Sequence, residues 1–341
     1  MVSTLLFTLL AVSFPPVGEA PAKQPQLATD GRTVAMVYGA GKTILFTRST
    51  DRGKTFSNPV PVATPETILL NRHRGPRVAF VPGAIVVSAI VNTGDLVTFR
   101  STDMGATWQK GAVINDVPTA AREGLHNLAS DGKGTLFADW LDLRDKGTKL
   151  YGSKSSDGGV TWSKNILIYQ SADGSICECC HPSATISATG EVLVMWRNTL
   201  AGSRDMYLAR SKDGVTFGKA EKLGEGTWVL KACPMDGGGV VTDAAGNVTT
   251  AWRREKQIYL AKPGAKETVI GEGMDVSLAA VKNGVYAVWS SVTGIHLLVP
   301  NGTASITLAA KGAYPNILAL PQGGALVAWE IDGKIVVEPV K

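Results

Sequence analysis

The sequence predicts an all-β fold built from one repeated structural unit. Four segments share the pattern Ser-x-Asp followed by glycine, threonine and an aromatic residue, and they recur about every fifty residues. Glycine is abundant, at 38 of 341 residues, and no long stretch shows the apolar periodicity of an amphipathic helix. Repeats of this length predict a β-propeller or a solenoid. The four segments begin at Ser49, Ser101, Ser155 and Ser211.

Each repeated segment has the composition of a tight turn between two strands. In the second copy, Asp103 can accept hydrogen bonds from backbone N–H groups, Gly105 can supply a positive φ, and Trp108 can pack beneath the turn. These segments resemble the Asp box of the sialidase-like (BNR-repeat) β-propellers, whose bacterial members are commonly named exo-α-sialidases. The resemblance spans most of the chain and implies a β-propeller fold.

A second repeated feature allows the blades to be counted. Apolar runs end in tryptophan in five units, Tyr38 holds that place in the first, and we expect these rings to pack between sheets. Counting first strands yields seven units, whereas sialidases have six blades. We therefore predict seven blades, with six as the alternative, and an N-terminal segment that closes the ring by pairing with the last sheet. The tryptophans are Trp140, Trp196, Trp252, Trp289 and Trp329, and the first strands start near Pro25, Pro76, His126, Pro182, Pro234, Asp275 and Pro315.

The N-terminus has the features of an export signal. The apolar run Leu5–Val12 is too short to span a bilayer, and Ala20-Pro21-Ala22 has the small-x-small pattern of a signal-peptidase site. We predict a signal peptide at residues 1–22 and a single propeller domain at residues 23–341, in a protein that is periplasmic or secreted. A buried strand is the alternative for the apolar run. No later segment is long and apolar enough to span a membrane.

The charged residues narrow the class of partner. The formal net charge is +5, from 34 Lys and Arg against 29 Asp and Glu, and the basic residues are dispersed along the chain. Nucleic-acid binders carry clustered basic patches, so this class is excluded. A mildly cationic surface is compatible with an anionic ligand. We expect a monomer that binds a small molecule, a sugar or a metal ion.

Propeller topology predicts where the functional residues lie. In each blade the innermost strand starts at the top face, the second strand returns to that face, and the third carries the chain to the bottom. The Asp boxes, between third and fourth strands, therefore lie at the bottom. The starts of the first strands and the ends of the second strands meet at the top centre, where a site is expected. Residues at these positions include His73, Arg77, His126, Cys233, Asp236, Asp275 and Tyr314.

Cysteines at this face support two main interpretations, with a reactive lone thiol as a third. An exported protein with four cysteines is expected to oxidise them, and Cys233 lies on the unit next to the Cys-Glu-Cys-Cys-His segment. The other interpretation is a metal site, because thiolates are soft ligands and imidazole is a borderline one, a combination that suits copper(I) better than zinc. The candidate metal ligands are Cys177, Cys179, Cys180, His181, Cys233 and His126.

Arginines at the same face are suited to holding a carboxylate, because the guanidinium fork matches it bidentately. The sialidase resemblance implies a hydrolase in which three arginines hold the substrate carboxylate, an aspartate acts as acid and base, and a tyrosine attacks. The catalytic candidates in matching order are Asp142, Arg197, Arg254 (or Arg253) and Tyr314, and the ligand-binding candidates are Arg74, Arg122 and Trp228. Two functions therefore remain open: ligand or metal binding through the Cys/His cluster, and an exo-glycosidase acting on acidic sugars.

Overall fold

The protein is a ring of seven four-stranded antiparallel sheets, described over residues 11–64 and 67–341 by a computed structural model. Each sheet is a blade, and within each blade the strands are ordered from the ring axis outward. The predicted all-β propeller with seven blades is confirmed, and the six-blade alternative is wrong. Within the described ranges there is no helix with the length and apolarity needed to cross a membrane.

The strands of the first four blades follow the chain in order. Strand β1 (Val12–Phe14) precedes them. Blade 1 holds β2 (Ala22–Thr29), β3 (Val34–Ala40), β4 (Thr43–Ser49) and β5 (Val60–Ala63), and blade 2 holds β6 (Arg77–Val81), β7 (Ala84–Ile90), β8 (Leu96–Ser101) and β9 (Gln109–Val113). Blade 3 holds β10 (His126–Ser130), β11 (Leu136–Asp142), β12 (Lys149–Ser155) and β13 (Ile166–Tyr169), and blade 4 holds β14 (Ser183–Ile186), β15 (Val192–Arg197), β16 (Met206–Ser211) and β17 (Glu221–Lys222).

The last three blades complete the ring. Blade 5 holds β18 (Gly238–Thr242), β19 (Val248–Arg254), β20 (Gln257–Ala261) and β21 (Thr268–Glu272). Blade 6 holds β22 (Met274–Val281), β23 (Gly284–Ser291), β24 (Gly294–Leu298) and β25 (Ile306–Ala309). Blade 7 holds β26 (Ala313–Ala319), β27 (Ala325–Ile331) and β28 (Lys334–Val340), and β1 is its fourth strand.

The second strand of each blade forms the core, because both of its faces pack against neighbouring blades. Every residue of β7 and of β11 is buried, as expected for a continuous apolar run inside a sheet. At the ends of such strands, Trp140 and Trp196 are 0% exposed and Trp289 is 1% exposed. The tryptophans therefore pack between blades, as predicted from the sequence.

The ring closes through the N-terminal strand. Strand β1 pairs antiparallel with β28, so that Val12 lies opposite Val337 and Phe14 opposite Ile335. The Phe14 ring is buried, with its centroid 6.0 Å from that of Tyr38 and 5.5 Å from that of Phe56. This strand falls inside the predicted signal peptide, whose apolar run lies almost wholly outside the described residues. The signal peptide remains a prediction.

The Asp boxes form turns between third and fourth strands, at the ends of the blades opposite the starts of the first strands. In the β8–β9 turn, Asp103 accepts hydrogen bonds from the backbone N–H and the hydroxyl of Thr107, and Ser101 donates to the same carboxylate. Gly105 has a φ of 87° and lies against the Phe46 ring, where a side chain would collide. The boxes are scaffold, and the opposite face is left for a site.

Candidate functional site

A cavity of about 260 Å³ runs along the ring axis. Its upper end lies at the starts of the first strands and is lined by His73, His181 and Asp275. All seven first strands contribute to its walls, through Gln26, Arg77, Asn127, Ser183, Val240, Val276 and Asn316.

Sulfur atoms from two neighbouring blades meet beside this opening. The Sγ atoms of Cys177, Cys179 and Cys180 all lie within 4.8 Å of one another, and 3.8 Å separates those of Cys177 and Cys179. Cys179 forms a disulfide with Cys233 across a Cα–Cα distance of 6.3 Å, which is within the usual range. Cys177 and Cys180 are free thiols and are buried. The structure therefore contains one disulfide beside two free thiols, a combination of the two interpretations that the sequence left open.

Arg197 holds the two cysteine-bearing loops together. Its buried guanidinium donates to the backbone carbonyls of Asp236 and Gly237 at the start of blade 5, and to those of Arg204 and Arg253. Cys177 is tied to the same residue, because its backbone N–H donates to the Arg197 carbonyl. Arg197 therefore positions the loops, and four of its five N–H groups are already occupied.

The two free thiols differ in acidity. The hydrogen bond from Cys180, assisted by the charges of Arg197 and Arg204, lowers the pKa of Cys177 to about 7. Burial raises the pKa of Cys180 well above its ordinary value, and the neighbouring Cys177 raises it further. Cys177 is therefore the more acidic of the two thiols, and a thiolate is the form of cysteine that binds metals.

A second polar cluster lies at the centre of the top face. The rings of His73 and His181 stack with centroids 4.0 Å apart, and the ring of Tyr314 meets His73 edge-on at 5.1 Å. His73 Nε2 lies 2.8 Å from a carboxylate oxygen of Asp275, whose backbone N–H donates to Asp236 at 3.3 Å. Five different blades and their connecting loops supply these groups.

Burial controls the protonation of this cluster. Burial and the neighbouring Asp275 charge raise the pKa of Asp236 to about 6. Burial would also raise the pKa of Asp275, but the hydrogen bond and charge of His73 outweigh it and lower that pKa. Burial, followed by His73 and Arg77, holds the pKa of His181 well below its ordinary value. Burial raises the pKa of Tyr314 to about 12, so its phenol is neutral at physiological pH.

Non-glycine residues have left-handed backbone conformations at five of the first-strand starts around this opening. All lie where a first strand starts, and the values of φ are 57° at Gln24, 67° at His73, 56° at Met235, 59° at Asp275 and 50° at Tyr314. Such conformations cost free energy in residues with a side chain, and they concentrate at functional sites. Repetition of the strain around one opening therefore supports a site at this place.

Most of the sialidase-type candidates do not converge with Tyr314. Arg254 forms a two-point ion pair with Glu267 and stacks on Tyr259 at 3.9 Å. Asp142 is buried and accepts hydrogen bonds from the guanidinium of Arg144. Asp142 and Arg254 are therefore paired within their own blades, whereas Arg197 is bound to backbone carbonyls of its own blade and of blade 5.

The remaining predicted residues occupy separate places. Arg74 donates to the carbonyl of Glu123, and Arg122 donates to the carbonyls of Thr119 and Leu143. Trp228 lies between the guanidinium groups of Arg197 and Arg253, at 5.2 and 5.5 Å from its ring centre.

His126 is not brought into the cysteine cluster. It is fully buried, with Nε2 3.0 Å from the hydroxyl of Ser88.

The sequence placed His73, Asp236 and Asp275 at the top face but predicted no catalytic, ligand-binding or metal-binding role for them. All three lie at the starts of first strands, where a site was expected, but none belongs to a recognisable motif. Their common position in the repeat was the available signal, because topology brings these positions to one opening.

Comparison with known proteins establishes the fold. No protein-family model matches the chain, and no curated protein matches it. An α-L-arabinanase from Penicillium chrysogenum superposes with a TM-score of 0.60 at 14% identity, over 97% of this chain and 98% of that one. A PL25 ulvan lyase has a TM-score of 0.61 at 12% identity, over 97% and 96%. A Hadza microbial sialidase has a TM-score of 0.50 at 14% identity, over 90% and 76%. At these identities the shared property is the propeller fold.

Proposed function

We propose that this protein binds a soft metal ion, copper(I), through the cysteine cluster at the top of the propeller. The observation that carries the proposal is the approach of the free Cys177 and Cys180 thiols, whose sulfur atoms lie within 4.8 Å of each other beside the Cys179–Cys233 disulfide. Thiolate sulfur selects copper(I) in preference to harder ions, and zinc is the less suitable alternative. The Cys233 sulfur is bonded to that of Cys179, and Met235 Sδ lies 3.3 Å from the Cys233 sulfur.

The disulfide supports the proposal by fixing the loops. With Cys179 and Cys233 joined, Cys177 and Cys180 are the two thiols that remain for the ion. Both are buried, and Arg197 supplies a positive charge that favours a thiolate. A disulfide of this kind persists in oxidising compartments, which supports the further proposal that the protein is exported to the periplasm or secreted.

Copper(I) binding is tested by competition with a chromophoric copper(I) chelator. Protein whose Cys179–Cys233 disulfide is verified by mass spectrometry is expected to take up about one copper(I) per chain. The double variant Cys177→Ser/Cys180→Ser should lose this binding, whereas Met104→Leu, on the opposite face, should retain it. Equal copper uptake by the double variant and the wild type would contradict the proposal.

A second candidate function is an exo-glycosidase of sialidase type acting on acidic sugars. It is favoured by a cleft of about 720 Å³ between blades 5, 6 and 7, lined by Arg253, Asp275 and Tyr314. In such an enzyme Arg253 would hold the substrate carboxylate and Asp275 would move a proton. The test is release of the fluorophore from a fluorogenic sialic acid glycoside. Turnover by the wild type that is lost in Tyr314→Phe supports this function, and no turnover on acidic glycosides removes it.

A further inference from the structure

We propose that His73, His181 and Asp236 form a second metal site, separate from the cysteine cluster, for a divalent first-row transition ion. One ring nitrogen from each histidine and one carboxylate oxygen of Asp236 lie within 4.8 Å of one another. The three residues come from the starts of blades 2, 4 and 5. Two imidazoles and one carboxylate are the ligand set of many metal sites that keep open positions for a substrate or water. This site does not depend on the function proposed above.

The contact with Asp275 leaves the other ring nitrogen of His73 available to a metal ion. His73 Nε2 lies 2.8 Å from Asp275, so a proton on that nitrogen is directed to the carboxylate and Nδ1 is left with a free lone pair. Asp275 is itself held by the hydroxyl of Ser290 at 2.8 Å. A carboxylate behind a histidine fixes the tautomer and the ring orientation, and this arrangement is found at most histidine-ligated metals.

The unpaired carboxylate oxygen of Asp236 is an independent indication that a cation binds here. The Asp236 side chain is 0% exposed, and its Oδ1 atom has no hydrogen-bond partner among the described residues. Leaving a buried carboxylate oxygen unpaired is costly, and a bound cation would remove that cost.

The nearby guanidinium groups do not provide the missing partner. Arg77 donates to the carbonyls of His73, Gly75 and Pro76, and Arg197 donates to backbone carbonyls.

His181, whose ring stacks on that of His73, is the third ligand of the proposed site. Its Nδ1 accepts the Gly237 N–H at 3.2 Å, so this nitrogen carries the lone pair and a metal ion would compete with one long hydrogen bond. A side chain at Gly237 would collide with the His181 backbone, so glycine is required for this approach. The axial cavity, lined by His73, His181 and Asp275, provides a path for the ion and leaves room for a further ligand.

Cobalt(II) is the probe, because its absorption distinguishes nitrogen and oxygen ligands from sulfur. The parent for this test is Cys177→Ser/Cys180→Ser with its disulfide intact, so that no free thiol is present. We expect visible cobalt bands without a sulfur-to-cobalt charge-transfer band, and an affinity that falls at least about tenfold in Asp236→Asn and in His73→Asn. The matched control His296→Asn, which changes the histidine in the outer cleft, should bind cobalt as the parent does.

Anomalous diffraction from zinc-soaked parent crystals provides a readout that does not depend on the folding of a variant. Density between His73, His181 and Asp236 is expected. An absence of cobalt binding by the parent, an affinity unchanged in Asp236→Asn, or zinc density only elsewhere would overturn the proposal. Copper(I) binding by the wild-type thiols is measured separately, so failure of either site leaves the other standing.

Discussion

The buried carboxyl of Asp139 should make the propeller less stable as the pH rises. Asp139 lies in the middle of β11, is 0% exposed, and neither of its carboxylate oxygens accepts a hydrogen bond of good geometry from the described residues. Burial raises its pKa from 3.8 to about 7, against the opposing effects of the nearby Asn127 side chain and of the Arg77 charge. Above pH 4 the unfolded chain releases this proton while the folded chain retains it. Stability from the protonated group is therefore fully present at low pH and is lost as the pH rises through about 7.

The magnitude follows from the size of this shift. Each pKa unit corresponds to about 1.4 kcal/mol, and pH 5 lies two units below the pKa of Asp139 in the folded protein. Between pH 5 and pH 8 the free energy of unfolding of the wild type should therefore fall by about 2.7 kcal/mol relative to that of Asp139→Asn. The asparagine cannot ionise, so its own unsatisfied amide contributes equally at both pH values. The comparison of the two proteins at two pH values therefore isolates the titration of Asp139.

Urea unfolding followed by tryptophan fluorescence measures this difference. The control is Asp145→Asn, because that carboxylate is exposed and Lys149 lowers its pKa. The control should gain no stability relative to the wild type as the pH rises. A stability difference between Asp139→Asn and the wild type that is the same at pH 5 and pH 8 would refute the reasoning.

Two further predictions concern the scaffold. Hydrogen bonds from Thr107 lower the pKa of Asp103 to about 2, so Asp103→Asn should lower the melting temperature at neutral pH. The difference in melting temperature between the variant and the wild type should shrink as the pH falls from 3.8 through about 2, and copper uptake should be unchanged. Phe14→Ala should destabilise the ring closure by about 3 kcal/mol, because a buried aromatic side chain is removed from between Tyr38 and Phe56. The control Val17→Ala, at a residue that is 47% exposed, should have little effect in the same urea titration. Equal losses in Phe14→Ala and Val17→Ala would show that β1 does not hold the ring closed.

Features that depend on short segments could be predicted from the sequence. The turn around Asp103 is closed by residues within four positions of the aspartate, and Trp140 lies near the end of an apolar run of the length and composition that predict a buried strand. Local hydrogen bonds and strand periodicity depend on residues that are close together in the chain, so the sequence can predict them. Because these features repeat, the number of blades could be counted from the sequence.

The structure decided what individual side chains do. Arg197 was a candidate for holding a substrate carboxylate, yet its guanidinium is occupied by carbonyls of the next blade. Whether the guanidinium of an arginine is available to a ligand depends on which loop of the neighbouring blade packs against it. The positions of these residues along the sequence do not reveal that contact.

The sequence by itself determined the all-β repeat, the number of blades and the face on which a site was expected. Only the tertiary structure decided that Cys179 bonds to Cys233, and that His73, His181 and Asp236 meet at one opening. Cys179 and Cys233 are 54 residues apart in the chain, and the three residues of the second cluster are separated by similar or larger intervals, because they belong to different blades. Their contact is set by how the ring closes, because closure fixes the distances between the starts of different first strands.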